Sequence, residues 1–175
     1  ALYMRKEIEL EPLINGGKQE SGFRAGTENV PAIVGLGRAA ELASYTLQDA
    51  ERISVLRDRL EESIRKLVPD ARLNGHPEKR LPNTLNLTLP GLRGESIVIA
   101  MDQHGIALSS GSACKSGTPE PTHVLTAMGR TEQDAHCSVR FSLSHDTTEK
   151  DINETVSALA RVLEEKNTVR LIPCK

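Results

Sequence analysis

The strongest constraint on the fold is one amphipathic helix in the middle of the chain. Apolar residues recur there at intervals of three and four, at Ile53, Leu56, Leu60, Ile64 and Leu67. This spacing predicts a single helix with one apolar stripe, and Pro69 ends it because a proline ring cannot continue the helical hydrogen bonds. The stripe must be buried against a sheet or another helix.

Strands are predicted on either side of the chain's midpoint and near its start. Residues 84–89 alternate polar and apolar side chains, which is typical of a strand with one buried face, and Pro90 follows. Short strands are also predicted over 106–108 and 138–143. Residues 1–26 are predicted to form strand and turn, because glycines punctuate the segment.

Four further helices follow from their start and stop residues. Pro31 fits the first turn of one helix. Helices over about 95–104 and 122–128 are each followed by a glycine suited to end them. Thr148 and Asp151 form a capping box that begins the last helix. Helices mixed with antiparallel strands predict an α+β domain, with the helices packed on a small antiparallel sheet.

One cysteine lies among small residues, in Ser109-Ser110-Gly111-Ser112-Ala113-Cys114-Lys115-Ser116-Gly117. A cation such as Lys115 favours the thiolate, which is the nucleophilic form. The local pattern leaves two interpretations open, a reactive thiol on a mobile loop and a Gly/Ser loop with an incidental cysteine. Cys137 is expected to be a small residue of the core, and Cys174 lies in the C-terminal tail.

Two other segments have the chemistry to bind anions. Glycines around Arg24 and Gly26 allow backbone amides to approach an anion, and Thr27 adds a hydroxyl near the start of a helix. The alternative for Thr27 is a helix cap alone. Arg140 lies on an apolar strand, where a buried guanidinium needs a carboxylate partner. That partner is either a substrate or an internal acid.

Composition excludes several classes of function. Charged residues make up 26% of the chain and give a net charge of −2, and two Phe, two Tyr and no Trp offer no platform for stacking bases, so we expect no nucleic-acid partner. No apolar run is long enough to span a bilayer and the N-terminus is not typical of a signal peptide, so we expect no membrane association and a cytoplasmic location. The histidines lack ligand spacing, so no stable metal site is predicted.

Three blocks in order carry a resemblance to a known family. They are Arg24-Ala25-Gly26-Thr27-Glu28-Asn29, the Cys114 segment continued by Pro119-Glu120-Pro121-Thr122-His123-Val124-Leu125, and Ser138-Val139-Arg140-Phe141-Ser142-Leu143. Together they resemble the C-terminal half of a cysteine desulfurase, a pyridoxal-phosphate (PLP) dependent enzyme of the class V aminotransferase-like family, in its iron–sulfur-assembly and nitrogen-fixation branch. The resemblance implies that 29–175 is the small C-terminal domain of a fold-type I PLP enzyme. It implies that 1–28 is an edge of the large PLP-binding domain.

The resemblance also implies an activity. L-Cysteine would be converted to L-alanine, and its sulfur would pass to Cys114 as a persulfide. An iron–sulfur scaffold or sulfur-carrier protein would receive that sulfur, with a brief contact between the Cys114 persulfide and a nascent cluster. In the resembled family Arg140 would hold the substrate carboxylate. Thr27, with Arg24 and Gly26, would bind the PLP phosphate of the neighbouring subunit, which implies a homodimer.

One part of the resembled enzyme is expected before Ala1. The lysine that forms the Schiff base with PLP precedes a segment like Ala1–Arg5 in that family, so we expect this chain to be a fragment that is inactive alone. Lys18 departs from the family pattern of a glycine or histidine. Two alternatives stay open: a selenocysteine lyase, which Arg80–Thr84 also resembles, and an interaction module without activity. The sequence does not identify the sulfur acceptor.

Overall fold

The computed structural model describes residues 1–110 and 122–165. They fall into two compact units, Ala1–Tyr45 and Thr46–Lys175. The helices are α1 (Val30–Thr46), α2 (Ala50–Leu67), α3 (Gly94–Asp102), α4 (His123–Ala127), α5 (Glu132–His136) and α6 (Glu149–Glu165). The strands are β1 (Arg72–Leu73), β2 (Thr84–Thr88), β3 (Ser109–Ser110) and β4 (Ser138–Ser142).

The first unit consists of irregular backbone followed by α1. The strand predicted within residues 1–26 is wrong, since this segment forms turns and a 3-10 turn at Glu20–Gly22. A strand needs a neighbour for its backbone hydrogen bonds, and the unit as described contains none. Helix α1 begins after Asn29, whose Oδ1 accepts a hydrogen bond from the Ala32 N–H at 3.1 Å. None of its residues is buried.

The second unit is built on a four-stranded antiparallel sheet in the order β1-β2-β4-β3. The predicted strands at 84–89 and 138–143 are confirmed to within one residue. The strand predicted at 106–108 is wrong, because β3 begins only at Ser109. The Ile106 N–H donates to the Met101 carbonyl at 3.0 Å, so this residue still completes the end of α3.

One face of the sheet forms the core together with α2, α3 and α6. The predicted stripe of α2 is confirmed from Ile53 to Ile64, while Leu67 at the helix end is 36% exposed. The residues at the centre of this core, each 2% exposed or less, are Leu60, Ile64, Ala71, Leu85, Leu87, Leu89, Ile97, Met101, Val139, Phe141, Leu159 and Val162. Burying one of the larger side chains contributes about 1.5–3 kcal/mol, so this layer dominates the stability of the unit.

The ends of the helices follow the local signals. The Thr148 N–H donates to Asp151 Oδ2 at 2.8 Å, and the Asp151 N–H donates to Thr148 Oγ1 at 3.3 Å, which confirms the capping box of α6. Helix α4 is followed by Gly129, as predicted. Helix α3 ends two residues earlier than predicted. Two short elements, β1 and α5, were not predicted, because two to five residues carry too little periodicity to be recognised.

Candidate functional site

The polar face of the sheet carries Arg140 at its centre. Arg140 alternates along β4 with buried Val139 and Phe141, so its side chain lies on the face opposite the apolar core. Its Nη2 donates a weak hydrogen bond to Ser109 Oγ at 3.3 Å. Its Nε is buried and donates to no described residue. No carboxylate in 1–110 or 122–165 forms an ion pair with this guanidinium, so the internal salt bridge has no partner there.

A buried cluster of hydrogen bonds supports the same face. Asn74 Nδ2 lies 2.8 Å from Asn86 Oδ1, 2.9 Å from Thr88 Oγ1 and 3.1 Å from Ser138 Oγ. Thr88 and Ser138 also share a hydrogen bond of 2.9 Å. Asn74, Thr88 and Ser138 are all buried, and the Ser138 Oγ also donates to the Asp134 carbonyl at 2.6 Å, so these polar groups are satisfied by hydrogen bonds within the protein.

Sequence reasoning missed this cluster. The alternation along residues 84–89 contained a signal for it, because Asn86 and Thr88 occupy the polar positions of a strand whose other face is buried. Asn74 had no such signal, since it follows a strand of only two residues. Its position beside β2 depends on strand pairing, which the sequence pattern does not specify.

The Arg24–Thr27 loop belongs to the first unit. Arg24 Nη1 donates to the carbonyls of Gly26 at 3.1 Å and Thr27 at 3.0 Å. The Gly26 N–H donates to Gln19 Oε1 at 3.2 Å, and the φ of Gly26 is +94°, a conformation that favours glycine. Arg24, Gln19 and Gly26 therefore shape the loop through contacts with one another.

These contacts decide how well the loop fits the phosphate of PLP. Arg24 faces backbone carbonyls, and the amide of Gly26 already has an acceptor. The cap of α1 is Asn29 and not Thr27. Within the described residues, the hydroxyl and amide of Thr27 donate no hydrogen bond, and its side chain is exposed. Thr27 thus offers two donors to a phosphate, whereas Arg24 and Gly26 fit the task of holding Thr27 in place.

The cysteines differ in whether the structure describes them. Cys114 and Lys115 lie in 111–121, and Cys174 in 166–175, outside the described residues. Cys137 is 2% exposed, which confirms it as a buried residue. Across 1–110 and 122–165, no group of three or more His, Cys, Asp or Glu side chains is placed to hold a metal ion. No helix within those ranges has the length and apolarity to cross a bilayer.

Comparisons with known proteins identify the family. The family model described as Aminotransferase class-V matches residues 1–155. The chain therefore belongs to the class-V aminotransferase family, and its fold is confirmed as an α+β portion of the class-V fold. It is 47% identical over 164 residues to cysteine desulfurase 2 of Trichormus variabilis, covering 94% of this chain and 41% of that protein.

Two further relatives agree with this assignment. The cysteine desulfurase IscS of Dictyoglomus turgidum is 44% identical over 170 residues, which is 97% of this chain and 43% of that protein. The solved structure of a NifS-like protein from Rickettsia africae superimposes with a TM-score of 0.78 at 36% identity, over 90% of this chain and 41% of that one. The chain thus spans about two fifths of the length of these relatives.

Proposed function

We propose that this chain is the part of a cysteine desulfurase that binds the substrate carboxylate and carries the thiol that accepts sulfur. The observation that supports the proposal most strongly is Arg140, a guanidinium on a polar sheet face with a buried Nε and no carboxylate partner among the described residues. A buried cation of this kind is costly unless an anion pairs with it. The α-carboxylate of an amino acid provides that anion in bidentate geometry.

In the proposed reaction the Cys114 thiolate attacks the sulfur of L-cysteine. A bond forms between the two sulfur atoms while the carbon–sulfur bond of the substrate breaks, and the electron pair of that bond stays with the carbon. PLP supplies the electron sink for this pair when bound. A proton then adds to the carbon, giving L-alanine and a persulfide on Cys114. Arg140 orients the substrate by its carboxylate throughout these steps.

Thr27 is the proposed contact of this chain with the PLP phosphate. Its two unused donors support that role, and Arg24 and Gly26 support it indirectly by fixing the loop. We further propose a homodimer in which Thr27 serves the neighbouring subunit, a cytoplasmic location, and an iron–sulfur scaffold or sulfur carrier as the acceptor. The domain boundary near residue 28 also remains a proposal.

The activity is tested in a PLP-loaded full-length protein that contains this chain. With L-cysteine and a thiol reductant, it should release sulfide and L-alanine in equal amounts. Alanine formed only from selenocysteine would favour the selenocysteine lyase. No turnover of either substrate by the PLP-loaded protein would favour an interaction module.

The 175-residue chain alone provides a separate test of the lysine's position. Lys18 lies in the loop before the Arg24–Asn29 block, and Lys115 follows the proposed sulfur acceptor Cys114. We therefore expect weak PLP binding to this chain, without a covalent bond to a lysine. Borohydride reduction followed by peptide mass mapping would measure this. A lysine of this chain that carries reduced PLP in stoichiometric amounts would contradict the proposal.

A further inference from the structure

Asn86 lies beside Arg140 on the polar face of the sheet. The strand register pairs Asn86 of β2 with Arg140 of β4, and Arg140 in turn with Ser109 of β3. Side chains directly opposite each other in an antiparallel pair have Cβ atoms about 4.5–5.5 Å apart. The amide of Asn86 and the guanidinium of Arg140 are therefore neighbours on one surface.

The orientation of the Asn86 amide is fixed by Asn74. Asn74 Nδ2 donates to Asn86 Oδ1 at 2.8 Å, and the Asn74 N–H donates to the Asn86 carbonyl at 2.9 Å. Since the side-chain oxygen of Asn86 accepts the first of these bonds, its Nδ2 is left as the unused group. That nitrogen donates to no described residue.

Arg140 and Asn86 together thus present donors that no residue in 1–110 or 122–165 accepts. Arg140 has no acceptor functions at all, and Ser109 engages only its Nη2. Two adjacent donor groups on one face match the two oxygens of a carboxylate. The cluster of Asn74, Thr88 and Ser138 lies beside them on the same face and is buried, and its Asn74 holds Asn86 in one orientation as a preorganised site requires.

We propose that Asn86 is a second carboxylate-binding residue, which forms with Arg140 a two-residue subsite for the α-carboxylate of the amino-acid substrate. Asn74 is its positioning residue, and Ser109 positions Arg140. The identification of the ligand as an amino acid rests on the proposed function. The pairing of the Asn86 and Arg140 donors is supported independently by the β2–β4 strand register and by the hydrogen bond from Asn74 to Asn86.

The test is binding of L-alanine, the product of the proposed reaction, to the PLP-loaded full-length protein by calorimetry. Asn86→Asp keeps an oxygen for Asn74 but replaces the donor with a negative charge. We expect it to raise the Kd of L-alanine about 10- to 100-fold, as for a lost hydrogen bond to a charged group. The Kd of ethylamine, which lacks a carboxylate, should be unchanged. Asn74→Ala should weaken L-alanine binding less, with the same insensitivity to ethylamine.

Thr84→Ser is the matched control, because Thr84 lies on the same strand and face but is paired with Ser142. It should leave the Kd of L-alanine at the wild-type value. Circular dichroism melting checks the fold of each variant, and Asn86→Ser replaces the Asp variant if that one does not fold. Equal L-alanine affinity in wild type and Asn86 variants would overturn the proposal, as would a parallel loss of ethylamine affinity.

Failure of the proposed function gives a different result. If the wild-type protein releases no sulfur from L-cysteine but the Asn86 variants still lose L-alanine affinity selectively, the carboxylate subsite stands and the desulfurase activity does not. If sulfur release is normal and L-alanine affinity is unchanged by Asn86→Asp, only the subsite fails.

Discussion

Replacing Arg140 with alanine separates substrate binding from folding stability. Among the described residues, the Arg140 side chain makes one hydrogen bond, 3.3 Å long, to Ser109 Oγ, and its Nε has no acceptor there. Losing that bond should therefore reduce the free energy of unfolding by about 1 kcal/mol or less. An internal salt bridge would give a different result, because breaking a buried pair costs about 3–5 kcal/mol.

The effect on substrate binding should be larger. Removing one partner of a buried, hydrogen-bonded charge pair costs about 2–5 kcal/mol, which corresponds to a rise of about 30-fold or more in the KM for L-cysteine. The assay is steady-state sulfide release by the full-length protein, paired with urea unfolding of the same preparations. Arg130→Ala is the matched control, because Arg130 Nη2 donates to the Leu73 carbonyl at 2.7 Å. It should lower stability by about 1.5–3 kcal/mol and leave KM unchanged.

One pattern of results would refute this reasoning. If Arg140→Ala loses about 3 kcal/mol or more of folding stability while KM and kcat stay near the wild-type values, then Arg140 serves an internal ion pair. The carboxylate would in that case come from outside the described residues.

Further predictions concern the second unit. A Cβ at Gly94 would lie 2.4 Å from the Ser138 carbonyl oxygen, so Gly94→Ala should lower the free energy of unfolding in urea by about 1–3 kcal/mol or more. Gly105 has open space around a Cβ but a φ of +76°, so Gly105→Ala should lower it by only about 1 kcal/mol. Equal losses would contradict the packing of α3 on β4. Hydrogen bonds from the Thr148 N–H and then its hydroxyl hold the pKa of Asp151 below its usual value of 3.8. The resulting stabilisation is fully present above about pH 4 and is lost as the pH falls through the lowered pKa. The difference in free energy of unfolding between wild type and Asp151→Asn should therefore become smaller in acid. A difference in free energy of unfolding that becomes larger in acid would refute the capping interaction.

Patterns that depend on neighbouring residues were predictable from the sequence. The stripe of α2, the alternation along β2 and the capping box of α6 each involve residues within a few turns or one strand, and each is confirmed. The strand predicted at 106–108 is wrong, because the Ile106 N–H donates back to the end of α3 and pairing with β4 begins only at Ser109. The sequence pattern does not specify where that pairing begins.

Some residues of the candidate site could be recognised from the sequence and others could not. Arg140 and Thr27 were recognisable because each lies in a motif with a family resemblance. Asn86 and Asn74 were not, because their importance arises from a register that pairs residues 54 positions apart, Asn86 with Arg140. The family resemblance placed Arg24 at the PLP phosphate, and in the structure its Nη1 donates to the carbonyls of Gly26 and Thr27. Sequence alone does not reveal which acceptor a cation faces.

The most direct test of the central claim is the location of sulfur after turnover. The full-length protein is incubated with L-cysteine without reductant, and its peptides are analysed by mass spectrometry. We expect one added sulfur atom on the peptide that contains Cys114 and none on that of Cys137, which is 2% exposed. We also expect no sulfur release by Cys114→Ser, because a serine hydroxyl cannot form a persulfide. Added sulfur on Cys137 or Cys174 instead, or full activity of Cys114→Ser, would contradict the central claim.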